Sequence, residues 1–398
     1  MTDRAPLGLV VCSLEAWDEV WRRNQYLVDG LLRRNPRLRV LFVEPPYDLA
    51  GGLRRRRPPA GPWLRAVAPS GRLWALRPVK PLPRRAGPWS DHALWWQVRR
   101  AAARLRLHRP VLWVNDTTYA PVIARTGWPS LYDVTDDWLL VPLPAREHAR
   151  LRRLEAVTLR DADQVVVCSP RLAESRGAVR PATVIPNGVD VEHFTRPHPR
   201  PPDLPPSEVA VYVGTLHEER IDVELVAELA ARTPGLSVAL VGPDLLSARS
   251  RRGLAGRGVS LLGPKSHALV PGYLQHADVV IVPHRVTPFT ESLDPIKAYE
   301  CLAVGRPTVA TEVAGFRELG PPIASVPRSA FAARVGQALR AGTPGVAATP
   351  ARLDELRWEG RCRQFEGVLA AALAGVSEPA PVPARGSADP SGTPRPPR

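Results

Sequence analysis

Thr290-Glu-Ser-Leu-Asp-Pro-Ile-Lys-Ala-Tyr-Glu-Cys-Leu-Ala-Val-Gly-Arg-Pro-Thr-Val-Ala-Thr311 is the most informative stretch of this 398-residue chain. Asp294 is a good helix N-cap and Pro295 suits the first helical position, so a helix is expected to run from here to about Ala303. Gly305 ends it and Pro307–Ala310 reads as the next strand. Lys297 then falls in the first turn, with Glu300 three residues on and on the same face. The amide end of a helix attracts phosphate. A lysine there adds a mobile positive charge, and a carboxylate one turn deeper can accept two hydrogen bonds from a ribose diol. The plain alternative is a solvent-facing ion pair between Lys297 and Glu300, a common use of this spacing. Against it stands composition: the chain writes almost every basic position as arginine and keeps lysine only at 80, 265 and 297.

Outward from this block the same grammar repeats. Upstream strands are expected at Ala210–Val213, Ser237–Val241, Val259–Leu261 and Val279–Val282. Helices fall between them near Val223–Arg232 and His267–His276, and another follows near Ala330–Arg340. An earlier series has strands at Leu7–Ser13, Arg39–Val43, Val111–Val114, Leu131–Val134, Gln164–Cys168 and Thr183–Ile185. Its helices are expected at about Trp17–Arg34, Trp89–Leu107 and Ala145–Arg160. Apolar runs without alternation, such as Val165–Val167, suit strands covered on both faces, and strand–helix alternation predicts doubly wound parallel sheets. The expected organisation is an N-terminal α/β domain over residues 1–188 and a second over 189–352. A helix at 353–375 and a disordered Pro/Ala/Gly/Ser tail at 376–398 complete it. The junction is Pro186-Asn-Gly-Val-Asp190, followed by a proline-rich connector. An insertion at about 45–88 carries Arg54–Arg57, Trp63 and Trp74. It reads as a surface loop or, alternatively, as a lip facing a membrane or an acceptor.

Composition limits the rest. Hydrophobic residues make up 44% and charged residues 23%, an ordinary globular balance. The four cysteines have neither zinc spacing nor a disulfide framework, which fits a reducing compartment. The run near the N-terminus is too short for a signal peptide or a membrane span, so a cytoplasmic protein is expected, with peripheral contact to a membrane left open. The formal charge of +15 is almost entirely arginine. No nucleic-acid-binding signature accompanies it, whereas a basic surface remains compatible with anionic lipid or substrate.

The 290–311 block resembles the nucleotide-sugar site of GT-B glycosyltransferases, specifically the retaining family 4 type, also called group 1. Pro186-Asn-Gly-Val-Asp190 is similar to that group's interdomain motif. Tyr212-Val-Gly-Thr-Leu216 with Arg220-Ile-Asp222 is similar to the start of its donor domain. Asp294-Pro-Ile-Lys-Ala-Tyr-Glu300, Trp17-Asp18 and Tyr132-Asp-Val-Thr-Asp-Asp137 resemble a teichuronic-acid-type branch. The resemblance spans roughly residues 7–375. It implies a GT-B fold of two Rossmann-like domains with a last helix crossing back to the first, where Trp358 serves as a packing anchor. It also implies sugar transfer from a nucleoside-diphosphate sugar to a carbohydrate or lipid-linked acceptor.

By this resemblance Glu300 binds ribose, while Lys297 and Arg220 neutralise the diphosphate without a bound metal or other cofactor. Gly214, Ser292, Asp294, Pro295 and Ile296 complete the donor side. Asp133, Asp136 and Asp137 follow a predicted strand and are placed at the cleft, with Asp136 as the candidate catalytic group. Trp17 and Arg23 are candidates for the acceptor side. An aspartate in such a position can equally be a cap, and Arg220 an ordinary surface residue. The sequence departs from the family in three places. Ser292 stands where a second glutamate is usual, the lysine-glycine pair after the donor domain's first strand is missing, and Ser13-Leu-Glu-Ala-Trp17 replaces a glycine-rich loop. A nucleotide-sugar epimerase and a non-catalytic nucleotide-sugar-binding protein therefore remain alternatives.

Overall fold

The computed structural model describes residues 7–54, 63–67, 70–82, 89–342 and 348–375. Arg55–Arg57 and the residues from 376 onward, where the sequence suggests a basic run and a disordered tail, lie outside the described residues. The chain builds two α/β units.

In the first, eight strands form one sheet in the order Thr183–Val184, Gln164–Val167, Ser130–Val134, Val111–Val114, Gly8–Cys12, Arg39–Val43, Leu73–Leu76 and Leu64–Ala66. All pairings are parallel except the last. Gly8–Cys12 and Val111–Val114 are buried along their whole length, as expected of central strands covered by helices on both faces. In the second unit the parallel order is Val259–Gly263, Ser237–Val241, Val209–Val213, Val279–Val282, Thr308–Thr311 and Ile323–Val326. Counted within the unit this is 3-2-1-4-5-6, the dinucleotide-binding order.

That order has a consequence for position. Each sheet reverses its winding direction once, between Gly8–Cys12 and Val111–Val114 in the first and between Val209–Val213 and Val279–Val282 in the second. Loops leaving the strand ends on either side of such a point splay apart and leave a crevice. The crevices of the two units face each other.

The helix Trp358–Ala374 returns to the first unit, as the resemblance implied. Arg34 pairs with Glu366 at 2.8 Å, Phe365 packs on Trp113, and Trp358 stacks on Tyr26 with ring centroids 4.7 Å apart. Val189, in the junction, donates to the carbonyl of Leu356 just before this helix. All four cysteines are buried and free.

Three expectations need correction. The first helix begins at Arg23, because residues 13–22 form the loop that crosses the strand ends. The 45–88 insertion is not a plain loop. Leu73–Leu76 pairs with Arg39–Val43 and Leu64–Ala66 with Leu73–Leu76, while Tyr47–Asp48 and Val79–Lys80 form a small sheet of their own. Asp294 does not cap the helix, which spans Ile296–Val304 with Pro295 at the cap position and no side-chain capping bond. Gly305 ends it in the left-handed conformation, as expected.

Candidate functional site

A cavity of about 260 Å³ lies between the two crevices. Its lower wall comes from the C-terminal unit. Gly214 follows the strand Val209–Val213, His284 follows Val279–Val282, and Pro295, Ile296, Lys297 and Glu300 come from the start of the helix. The Ala298 amide turns back to the Pro295 carbonyl at 3.0 Å, while the amides of Ile296 and Lys297 at the start of that helix have no side-chain cap.

Lys297 does not pair with Glu300. Its ammonium instead lies 3.0 Å from the Tyr212 hydroxyl and 4.5 Å from the centroid of that ring. Gly214 has φ +148°, and a Cβ there would sit 2.6 Å from the Lys297 Nζ, so glycine is what lets the lysine lie across the strand end. Glu300 accepts no hydrogen bond among the described residues, and burial pushes its carboxyl up to about 7, against the opposing pull of Lys297. His284 lies beneath. Burial first, then Lys297 and Arg220, push its imidazole well below its usual range, and its Nδ1 finds no partner among the described residues.

The upper wall comes from the N-terminal unit through Glu15, Asn115, Thr135 and Asp136. Arg220 reaches across from below and bonds Asp136 at 2.7 Å, with its guanidinium 5.3 Å from the Phe289 ring centroid. Burial raises Glu15 to about 7, with Arg22 and Arg220 lowering it and Asp136 raising it further. Five cationic side chains, Arg22, Arg23, Arg220, Lys265 and Lys297, thus line one cavity with three carboxyl groups of weakened acidity, Glu15, Asp294 and Glu300.

The structure brings together Gly214, Arg220, Asp294, Pro295, Ile296, Lys297, Glu300, Asp136 and Arg23 around this cavity. Other candidates are turned to different work. Asp133 is fully buried and holds Arg23 through both carboxylate oxygens, at 3.1 Å each. Asp137 caps the turn at Trp138–Leu140 and binds Arg176, so it supports the wall from behind. Trp17 packs edge-on against Phe42, and it is Trp21 that lines the cavity, stacked on His267.

Ser292 is buried outside the cavity lining. Its hydroxyl bonds the Phe289 carbonyl, and its own carbonyl accepts from Ser169 of the other unit at 2.7 Å. Asp294 borders the cavity, but its carboxylate accepts from the Asn187 amide and the Tyr299 hydroxyl. Sequence reasoning missed Glu15, Trp21, Tyr212, Lys265, His267 and His284 as lining residues. For Lys265 the signal was present, since the scarcity of lysine that singled out Lys297 applies to it equally.

With this geometry in view, comparison with known proteins is informative. The family model described as "Glycosyl transferases group 1" matches residues 207–341. TuaH of Bacillus subtilis, named as a teichuronic acid biosynthesis glycosyltransferase, is 26% identical over 235 residues, which is 54% of this chain and 58% of TuaH. Among solved structures, sucrose-phosphate synthase from Thermosynechococcus elongatus superposes with a TM-score of 0.69 at 20% identity, over 94% of this chain and all of that one. Anabaena HepE in complex with UDP-glucose gives 0.63 at 16% identity, over 93% of this chain and 100% of HepE. The UDP-forming trehalose-phosphate synthase of Burkholderia vietnamiensis gives 0.65 at 16%, over 94% of this chain and 99% of that one. Likeness at these identities establishes the shared architecture.

Proposed function

We propose that this chain, a GT-B glycosyltransferase of group 1, binds a nucleoside-diphosphate sugar at the helix start Ile296–Val304 and transfers the sugar to an acceptor held by the N-terminal unit. The observation that carries this reading is that Lys297 and Glu300 both line the interdomain cavity and are not spent on each other. The diphosphate lies against the open amides, Lys297 and Arg220, and Glu300 takes the ribose diol. In transfer, the acceptor oxygen bonds to the anomeric carbon as the bond from that carbon to the diphosphate oxygen breaks. The hydroxyl proton leaves with the departing phosphate, and the cations stabilise the charge that develops there. Closing the cleft keeps out water that would hydrolyse the sugar. Retention of configuration follows from the family resemblance, and NMR of the anomeric product distinguishes it from inversion.

The test is a thermal-shift and calorimetric screen against UDP, GDP, TDP and ADP sugars, since a ligand of the folded state raises its stability. At least one should bind, and Lys297→Ala should weaken it by about 2 kcal/mol, roughly thirtyfold. Unaltered affinity in that variant contradicts the site. Because protein cations occupy the diphosphate position, transfer should persist in a chelator such as EDTA, and a metal requirement would overturn that part of the reading.

The acceptor belongs to a cell-surface polysaccharide or its lipid-linked precursor in this reading, which TuaH's name supports. Peripheral contact with an anionic membrane accords with the helix Trp89–Arg104. There Trp89 and Trp96 are 70% and 59% exposed, and Arg100 lies over the Trp96 ring. Among the described residues no helix is long and apolar enough to cross a membrane. Sedimentation with vesicles containing phosphatidylglycerol should pull down the chain, and Trp89→Ser with Trp96→Ser should release it.

A further inference from the structure

A second cavity, of about 350 Å³, is hollowed into the N-terminal unit beside the first and shares Asn115, Thr135 and Asp136 with it as a common wall. Part of its lining is apolar and open at the rim, with Leu14 held beside the common wall by its amide's bond to Asn115 at 3.2 Å. Leu14 and Leu143 are 37% and 36% exposed, and Leu139 and Leu151 complete the apolar lining. Apolar groups left open at the mouth of a cavity mark a place where a ligand's apolar part can come out of water. Trp138 forms another part of the lining, and its buried indole N–H has no partner among the described residues.

The polar lining leaves no arginine to spare, since Arg23 holds Asp133 at 3.1 Å and Arg220 holds Asp136 at 2.7 Å. Five of its side chains are carboxylates, Asp116, Asp133, Asp136, Glu147 and Glu155, and Arg150 is the one basic group among the described residues there. Arg150 is already shared between Asp91 at 3.1 Å and Glu147 at 3.4 Å. Arg176, behind the wall, is held by Glu155 at 2.8 Å and by Asp137. A phosphate or carboxylate entering here meets no cation that is not already paired with a carboxylate, which disfavours it. Hydroxyl groups, by contrast, can donate to the carboxylate oxygens without bringing charge.

We infer that this chamber is the acceptor subsite and that it selects a neutral, hydroxyl-bearing molecule with an apolar appendage, such as an alkyl or aryl glycoside, over an anionic sugar. The inference rests on the donor reading above only for the direction in which the hydroxyl points. The sugar end lies at the common wall beside Asp136, and the apolar end lies over Leu143.

Binding of three probes to the full chain separates the possibilities: octyl β-glucoside below its micellar concentration, methyl β-glucoside and glucose 6-phosphate. Each is titrated by ligand-observed NMR with and without UDP. Octyl β-glucoside should bind about tenfold more tightly than either of the others. Leu143→Glu, at a half-exposed position that tolerates a polar side chain, should abolish that preference while leaving UDP affinity as it was. Glu147→Lys supplies the missing cation and should raise affinity for glucose 6-phosphate about tenfold. Equal or tighter binding of glucose 6-phosphate by the unaltered chain overturns the inference. So does undetectable octyl β-glucoside binding, or a preference that survives Leu143→Glu. Failure of UDP to bind indicts the donor reading instead, and the titrations without UDP still decide this one.

Discussion

Glu300 is a carboxyl group placed at a cost to the empty protein, a cost that the proposed ribose contact would offset. Burial raises it from its ordinary 4.5 to about 7. Between those two values the folded chain holds a proton that the unfolded chain has released. Its contribution to stability is therefore fully present below about 4.5 and is lost as pH rises through 7. Glu300→Gln should raise the thermal midpoint of the ligand-free protein by a few degrees at pH 8 and leave it unaltered near pH 4.5, read by calorimetry. The same substitution should weaken donor binding at pH 8, because an amide offers one uncharged accepting oxygen where the carboxylate offers two charged ones. In the unaltered enzyme donor affinity should fall as pH drops below 7, as the accepting carboxylate is protonated. A midpoint that falls at pH 8 in the Gln variant would show that the carboxylate is held by a favourable interaction and is not strained. Lys297 differs, since the Tyr212 hydroxyl and ring face already satisfy its ammonium. Its loss should register in donor affinity more than in stability.

The helix Ile296–Val304 gets its position from the segment before it and not from a cap of its own. Asn187, 6% exposed, accepts from Arg23 at 3.2 Å and donates to the Asp294 carbonyl, so one amide side chain ties the junction, the first helix and the donor helix together. Asn187→Ala leaves a buried guanidinium short of one acceptor and should lower stability by about 1–3 kcal/mol in urea unfolding, with a smaller loss of donor affinity. A loss confined to stability would mean that the helix start keeps its place without this tie. The sequence announced the helix, its glycine stop and the strand after it, because those are local and depend on backbone preference alone. It misplaced the cap, because Asp294 is recruited by Asn187, over one hundred residues away, and no local rule weighs that competition. The same reason explains Asp133 and Asp137. Spacing set them at a strand end, but only the three-dimensional arrangement shows that Arg23 and Arg176 claim them. Ile323–Val326 and Leu73–Leu76 went unrecognised because they carry few β-branched residues and lie close to prolines, and both are held by partners already in the sheet.

At the scale of the molecule, two switch points face each other and the bonds across the gap decide how far it opens. Ser169 to Ser292, Asn187 to Asp294, the amide of His267 to the Glu19 carbonyl, and Arg220 to Asp136 all join the two units. The first lies outside the cavity lining, and the next two touch it through Asn187, Asp294 and His267. The last lies inside that lining, where, in the proposed reading, Arg220 serves the diphosphate while Asp136 already holds it. Donor and carboxylate therefore compete for one guanidinium. Asp136→Asn should tighten UDP binding by about 1 kcal/mol, several-fold, because a half-exposed ion pair of this kind is worth roughly that much. It should also let Glu15 ionise more readily, because the Asp136 charge is one of the terms that raise it. Transfer should nonetheless slow, since the same carboxylate forms the wall between donor and acceptor chambers and is positioned to receive the acceptor hydroxyl once the diphosphate has taken Arg220. Calorimetry with UDP and turnover with a donor sugar read the two effects separately. Weaker UDP binding in Asp136→Asn would show that Asp136 holds Arg220 in its productive pose, and the competition would then be no part of how the cleft responds to its donor.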